Sequence, residues 1–216
     1  MRIRLNHEVL TLDPSGALWW DARRTLVLAD IHFEKGSSYA RYGLFLPPYD
    51  SRAMLTRIAR LQQYYQPQRV IALGDSFHDA GAEARLGGDE RADLEAIVGA
   101  QEWIWIAGNH DPRPPAWLNG RFEVELEDGN LLFRHDPSLV ASAGEIAGHL
   151  HPCHTIHRQG RAVRRRCFVS DGLRLVMPAF GAYAGGLDLR DDVFIRMFPA
   201  SCRIYMLGAE RVYAVA

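Results

Sequence analysis

The 216-residue sequence has little cysteine, no long apolar run and almost no net charge, and each shortage excludes a class of protein. Its three cysteines form no CxxC pair, which excludes a disulfide-rich scaffold and favours free thiols in a reducing compartment. No apolar run approaches the roughly 18–20 residues that a membrane-spanning helix needs. The formal net charge of −1 excludes a strongly basic protein that wraps nucleic acid.

What is present is an ordinary globular composition, with 48% hydrophobic and 24% charged residues. A chain of this length fits one domain, residues 1–216. The N-terminal segment contains no signal-peptide h-region, so we expect a cytoplasmic protein that does not contact a membrane. Two biases stand out. Histidine occurs nine times, and Lys35 is the only lysine among 25 basic residues.

Short apolar runs alternate with helical patterns along the chain, which predicts an α/β fold. Asp50 or Ser51 is expected to cap the longer helix, and Pro67 to end it. The pair Trp19-Trp20 is expected to place one ring on each face of a strand, which leaves one ring free to be exposed. Hairpin turns are predicted at residues 13–16 and 171–172. Strands are predicted over residues 25–29, 69–73, 103–107, 131–133 and 145–147, and a second helix over residues 89–98.

Polar side chains that can bind a metal follow five of the predicted strands at the point where each strand ends. Ligands bind at the carboxyl edge of open α/β sheets, so we expect these five segments to converge on one site. Carboxylate, imidazole and amide oxygen together suit manganese, iron or zinc better than a soft metal. Glycines at positions 74, 108 and 148 are expected to let the backbone turn sharply there. The five segments are Asp30-x-His32, Gly74-Asp75, Gly108-Asn109-His110-Asp111, His135 and Gly148-His149-x-His151.

The ordered pattern D-x-H, G-D, G-N-H-D, H and G-H-x-H resembles that of the calcineurin-like metallophosphoesterases. The resemblance implies a four-layer α-β-β-α sandwich, two mixed sheets flanked by helices, and a centre with two divalent metal ions. It implies that one metal is bound by Asp30, His32 and His151, and the other by Asn109, His135 and His149, with Asp75 bridging the two. It further implies that His110 donates a proton to the leaving group and that Asp111 orients or stabilises His110.

Such a centre hydrolyses phosphoesters for a physical reason. Two divalent ions neutralise the negative charge of the phosphate, and a water shared between them yields hydroxide near neutral pH. A leaving alkoxide needs a proton, and histidine has a pKa that allows this transfer. The expected activity is therefore hydrolysis of phosphodiesters by a metal-bridging hydroxide.

Further segments resemble one bacterial branch of that family, the ligase-associated DNA damage response endonucleases. This resemblance implies manganese as the metal, with iron or zinc as alternatives, and DNA as the substrate in a repair pathway. It also implies DNA ligase, helicase and exonuclease partners. Two other functions remain open, a phosphoesterase for nucleotides or other small molecules and a silent partner-binding module of a repair complex. The segments are residues 30–36, Gly43, Pro47-Pro48, residues 74–79, residues 178–181 and Gly185-Gly186.

Four residues outside the ligand set are candidate substrate contacts. Lys35 can bind a phosphate or be a solvated loop lysine, and His78 can touch substrate or pack beside the site. Arg164 and Arg166 belong to a cluster of five arginines over residues 158–166 that suits a nucleic-acid backbone. The other interpretation of the cluster, a solvated charged hairpin, is slightly favoured. Buried, unreactive thiols are expected for Cys153, Cys167 and Cys202.

Overall fold

The computed structural model describes residues 1–47, 49–140, 142–158 and 160–215, with the backbone alone at Arg158. Pro48 and the side chain of Arg158, both singled out in the sequence, lie outside the described part. Within it the strands form two mixed sheets, as the resemblance implies. No described helix is long and apolar enough to cross a membrane.

The first sheet has the order β1-β2-β3-β4-β5-β6-β7. Strands β1 to β4 are antiparallel neighbours, and β4 to β7 run parallel. The parallel strands therefore end together at one edge. The strands are β1 Arg2–Leu5, β2 Glu8–Leu12, β3 Leu18–Trp20, β4 Thr25–Leu28, β5 Arg69–Leu73, β6 Glu102–Ile106 and β7 Arg121–Glu123.

The second sheet has the order β15-β14-β12-β13-β10-β9-β8, and β11 forms a hairpin with β12. Its central strands β9, β10 and β13 are parallel to one another, so that they also end at a common edge. The strands are β8 Glu125–Asp128, β9 Leu131–Arg134, β10 Glu145–Ala147, β11 Cys153–Arg158, β12 Arg161–Ser170, β13 Leu175–Val176, β14 Arg203–Leu207 and β15 Val212–Val215.

Helices cover the outer face of each sheet, which completes four layers. Helices α2 Asp50–Tyr65 and α4 Gly88–Gly99 pack on the first sheet, and α5 Asp192–Met197 packs on the second. Two short helices, α1 Lys35–Ala40 and α3 Ala82–Arg85, lie in the loops after β4 and β5. A third apolar cluster fills the space between the sheets.

The central strands read as continuous apolar runs because both of their faces are buried. In β6, Trp103 and Trp105 point towards the helices and stack at 4.8 Å, whereas Ile104 and Ile106 point between the sheets. Trp19 and Trp20 also lie on opposite faces, as predicted. The expectation of an exposed ring is wrong because each face of this strand is covered: the two residues are 7% and 1% exposed.

Two further expectations are corrected. Helix α2 has Tyr49 at its N-cap with no side-chain cap, because Asp50 and Ser51 are buried and bind the neighbouring loop instead. Cys153 and Cys167 are buried thiols, but Cys202 is exposed in the segment just before β14.

Candidate metal centre

The five polar segments meet at the carboxyl edges of the two sheets. Asp30 and His32 follow β4, Asp75 follows β5, and residues 109–111 follow β6 of the first sheet. His135 follows β9 in the second sheet, and residues 149–151 follow β10. The site therefore lies where parallel strands of both sheets end, the position predicted from sequence.

One group of ligand atoms comes from Asp30, His32 and His151. The Nε2 atom of His151 lies 3.1 Å from Oδ1 of Asp30 and 3.4 Å from Nε2 of His32. Burial and the nearby positive charge of Lys35 lower the pKa of His32 well below its usual 6.5. The His32 ring is therefore neutral and has a lone pair available for a metal.

A second group comes from Asp75, His135 and His149. The Nε2 atom of His135 lies 3.4 Å from Oδ2 of Asp75 and 3.2 Å from Nδ1 of His149. The other ring nitrogen of His135 donates to the Leu73 carbonyl at 3.1 Å, which directs Nε2 into the site. The side-chain amide of Asn109 lies 3.2 Å from Nδ1 of His149 and can turn its oxygen inwards.

Backbone and carboxylate contacts join the two groups into one centre. The His149 amide donates to both carboxylate oxygens of Asp30, at 3.2 and 3.1 Å, although His149 and Asp30 belong to different groups. Oδ1 of Asp75 accepts the His110 amide at 2.9 Å. The two carboxylates are 0% and 2% exposed, and buried charges of this kind need a cationic partner.

The donor set fits two divalent cations. Each group brings one buried carboxylate together with two imidazoles, all within 4.8 Å, a set that hard-to-borderline metals prefer. Burial lowers the pKa of His135, but its contacts with Asp75 and Asp30 outweigh burial and raise the pKa to about 9. The pocket therefore stabilises positive charge at this point.

Strained backbone at the ligands is a feature that the sequence did not predict. The residues that carry it adopt left-handed φ values between 45° and 63°, a region that costs a residue with a side chain roughly 1–2 kcal/mol. Backbone hydrogen bonds from Asp30 to Gly74 and from His32 to Asp75 hold two of these turns. These residues are Asp30, His32, Asp75, His149 and His151.

Two of the three glycines have a role different from the one expected. Only Gly74 has a left-handed φ, +73°. Gly108 and Gly148 are required for space, because a Cβ on Gly108 would collide with the Asp75 backbone and one on Gly148 would lie 2.5 Å from Oδ2 of Asp30. Close approach of the segments, more than sharp turning, explains the latter two glycines.

His110 and His78 lie beside the two groups. The His110 ring is 47% exposed, and its Nε2 atom lies 3.9 Å from Oδ2 of Asp75. It stacks on His78, and Nδ1 of His78 lies 3.5 Å from Nδ1 of His32. His78 therefore packs beside the site, and its ring lines the rim of the centre.

Asp111 does not hold His110 in the way the resemblance implies. Its Oδ2 atom accepts the Phe77 amide at 2.9 Å, and among the described residues no hydrogen bond joins it to the His110 ring. Burial, with the nearby Asp75 charge, raises the pKa of Asp111 to about 7. The Asp111 carboxyl thus supports the loop after β5 instead of the His110 ring.

Lys35 is buried at the start of α1, so the interpretation as a solvated lysine is wrong. Burial lowers its pKa, and Asp30 and Asp75 oppose this shift.

Arg166 is half-buried and donates to backbone carbonyls at residues 179, 182 and 184, because its strand passes beside that loop. This corrects both interpretations of Arg166. Arg164 is exposed, and its guanidinium donates to the Gly186 carbonyl at 2.6 Å.

A buried hydrogen-bond network behind the first ligand turn was missed in the sequence. The Glu34 carboxylate accepts from Ser51 at 2.7 Å and from Ser37 at 2.6 Å, and Asp50 accepts the Gly36 amide at 2.8 Å. The one available signal was a pair of polar residues, Asp50 and Ser51, at the start of an amphipathic helix. The same pair has the composition of a helix cap, which is why the sequence does not reveal this network.

Comparison with known proteins agrees with this geometry. A family model described as calcineurin-like phosphoesterase matches residues 23–171, more than half of the chain. The chain belongs to the calcineurin-like phosphoesterase family. It is therefore a metal-dependent phosphoesterase, and the two ligand groups support a centre with two divalent metals.

Two solved structures are similar to this chain. Pseudomonas putida nuclease MPE is 29% identical, with a TM-score of 0.77 over 100% of this chain and 99% of that chain. Yfce, a phosphoesterase from E. coli, is 14% identical, with a TM-score of 0.43 over 89% of this chain and 98% of that chain. No curated protein matches the chain.

Proposed function

We propose that this phosphoesterase is a manganese-dependent phosphodiesterase that cleaves DNA. The observation that carries the proposal is the pair of adjacent ligand groups, one around Asp30 and one around Asp75. Two divalent ions bound there would neutralise phosphate charge and lower the pKa of a bound water. The Asp75 carboxylate belongs to the second group, and the Asp75 carbonyl accepts the amide of His32 from the first group at 2.9 Å, which suits Asp75 to contact both ions.

We assign the ligands in two sets. Asp30, His32 and His151 hold one ion, and Asn109, His135 and His149 hold the other. His110 belongs to neither set, and its ring is exposed at the mouth of the site. That position suits transfer of a proton to a leaving alkoxide, which is the role of a general acid.

A nucleic-acid substrate is supported by three observations. The similar Pseudomonas putida protein is a nuclease. Exposed arginines, Arg161, Arg164 and Arg165, line the hairpin that starts shortly after His151, and guanidinium groups bind phosphate well. Exposed rings of Tyr42 and Phe45 follow α1, and aromatic rings of this kind stack on bases.

Manganese and a role in DNA repair complete the proposal. The mixed oxygen and imidazole ligands suit manganese, although iron and zinc share them. A repair role, with ligase, helicase and exonuclease partners, rests on the resemblance of residues 30–36, 74–79 and 178–181 to the repair branch of the family.

A second candidate function is hydrolysis of a nucleotide or another small phosphoester. A cavity of about 330 Å³ opens beside His110, with Phe77 and Pro114 on its apolar side and Arg113, Asp79 and Glu83 among its charged lining residues. A base or aryl group fits such a mixed lining. This cavity is the observation that favours a small substrate.

The experiment is an activity assay of the protein reconstituted with Mn²⁺, Fe²⁺ or Zn²⁺. Its substrates are bis-p-nitrophenyl phosphate, p-nitrophenyl phosphate, a nucleotide, and single- and double-stranded DNA. We expect turnover of the diester and of DNA with Mn²⁺. Turnover of the monoester and the nucleotide, with intact DNA, would favour the small-molecule function instead.

A further inference from the structure

The segment of residues 178–187, called here the 178–187 loop, packs against both turns that supply the first ligand group. At one end, the Phe180 amide donates to the Ala29 carbonyl at 2.8 Å, and the Gly181 amide donates to the Asp30 carbonyl at 3.0 Å. A Cβ on Gly181 would collide with the Ile31 backbone oxygen. The loop is therefore in direct backbone contact with the turn that carries Asp30 and His32.

The other end of the same loop contacts the turn that carries His151. The Leu187 amide donates to the Leu150 carbonyl at 3.4 Å, and the Leu187 carbonyl accepts the Cys153 amide at 2.8 Å. A Cβ on Gly186 would collide with the His151 backbone oxygen. One short loop thus joins two turns that lie about 120 residues apart in sequence, as the 119-residue separation of His32 and His151 shows.

Arg166 holds the middle of this loop. Its guanidinium donates to the carbonyls of Ala179 at 2.8 Å, Ala182 at 2.9 Å and Ala184 at 3.2 Å. Arg57 supports the first end, where it donates to the Phe180 carbonyl at 2.9 Å and lies 4.1 Å from the centre of the Phe180 ring. A planar guanidinium can serve several carbonyls at once, which an ammonium or an amide cannot do in the same geometry.

The second ligand group has no such connection. In the part of the chain that the structure describes, no hydrogen bond joins the 178–187 loop to Asp75, His135 or His149. The Leu73 carbonyl holds His135, and the His110 amide holds Asp75. His149 contacts His135 and donates its amide to the Asp30 carboxylate, so it is the one link between the second group and the first in these contacts. A change in the loop should therefore displace the first group directly and the second group only indirectly, through His149.

We propose that Arg166 is a positioning residue for the first metal ion, and that it acts through the 178–187 loop on Asp30, His32 and His151. This inference rests on the proposed two-metal function. Ligand groups must lie within a few tenths of an ångström of their positions to bind a metal well, and residues that orient ligands typically contribute 10–100-fold to affinity. The Arg166→Met variant loses three hydrogen bonds to the loop. Its affinity for the first metal ion should therefore fall more than its affinity for the second.

The test is a titration of the metal-free full-length protein with Mn²⁺, followed by calorimetry and by electron paramagnetic resonance. We expect the wild type to bind two ions as a spin-coupled pair. Arg166→Met should bind one ion with wild-type affinity and the other about 10–100-fold more weakly, with the uncoupled spectrum of a single Mn²⁺ at intermediate metal concentrations. The matched control is Arg165→Met, because Arg165 is the exposed neighbour and, among the described residues, donates to the Arg164 carbonyl and not to the 178–187 loop.

A pair of glycine variants tests the same loop without changing a charge. Gly186→Ala introduces the collision with His151, whereas Gly185→Ala meets no atom within 4 Å. Only Gly186→Ala should lower the affinity for a metal ion. These variants also keep the test decisive if Arg166→Met fails to fold, which circular dichroism would reveal.

A double-mutant cycle identifies which ion is affected. Asp30→Asn removes a ligand of the first ion, so adding Arg166→Met to it should leave the affinity of the remaining ion unchanged. Equal weakening of both ions by Arg166→Met, or wild-type binding of both, would overturn the inference while the proposed function stands. A wild-type protein that binds fewer than two ions would contradict the proposed function itself, and with it this inference.

Discussion

The Gly74→Ala variant should damage the second ligand group through a single methyl group. Gly74 has a left-handed φ of +73°, and a Cβ at this position would lie 2.5 Å from Cγ and 2.6 Å from Cβ of His135. Ordinary contacts begin at 3.4 Å, so the imidazole would have to retreat by about 1 Å. His135 is 3% exposed and packed from all sides, which leaves little room for that retreat.

Two effects determine how much stability the Gly74→Ala variant loses. The left-handed backbone costs an alanine roughly 1–2 kcal/mol, and overpacking a buried site costs typically another 1–3 kcal/mol. The free energy of unfolding should therefore fall by about 2–5 kcal/mol. A displacement near 1 Å also exceeds the tolerance of about 0.2 Å for metal–ligand distances, so we expect the affinity for one Mn²⁺ to fall by at least about 100-fold.

The assay combines urea unfolding of the metal-free protein with Mn²⁺ titration. The matched control is Gly129→Ala, because Gly129 also has a left-handed φ, +60°, but its nearest neighbours lie 3.5 and 4.0 Å from a new Cβ. The control should lose only the backbone contribution, about 1–2 kcal/mol, and should bind both ions. If Gly74→Ala matches Gly129→Ala in stability and metal binding, the proposed position and role of His135 are wrong.

Three further variants test other parts of the site. Asp75→Asn should lower activity with Mn²⁺ more than about 100-fold, because an amide cannot supply the charge between two ions; wild-type turnover would contradict the assignment. His110→Ala should slow hydrolysis of alkyl esters by about 10²–10⁴-fold and of activated aryl esters far less, since only alkoxides need a proton, and equal losses would exclude the role of proton donor. Asp79→Asn should be less stable than wild type at pH 7. Although burial opposes it, hydrogen bonds from Arg85 and Ser38 lower the pKa of Asp79 from 3.8 to about 2. The difference in urea unfolding should therefore shrink as the pH falls from about 4 to 2, and a constant difference would contradict this explanation.

The sheet strands and the ligand positions were predictable from sequence for a physical reason. Strands such as β5 and β6 are buried on both faces, so they appear as short apolar runs with polar residues directly after them. Parallel strands end at a common edge, and that rule alone brings Asp30, Asp75 and Asn109 together. The positions of these residues in the structure agree with the prediction.

Features that depend on contacts between distant segments were not predictable. The interpretation of Arg166 failed because its three carbonyl partners lie in a loop 13–18 residues away, and charge alone does not specify them. Asp50 and Ser51 have the composition of a helix cap, but they bind the loop that carries Glu34 and Gly36. The left-handed turns at the ligands leave no sequence signal either, because aspartate and histidine are common in ordinary conformations.

The most direct test of the account is anomalous X-ray diffraction at the manganese edge from crystals of the protein grown with Mn²⁺. The account predicts two peaks about 3.5–4 Å apart, one against Asp30, His32 and His151 and the other against Asn109, His135 and His149, with Asp75 in contact with both. One peak, or none, at saturating Mn²⁺ would contradict the two-metal centre.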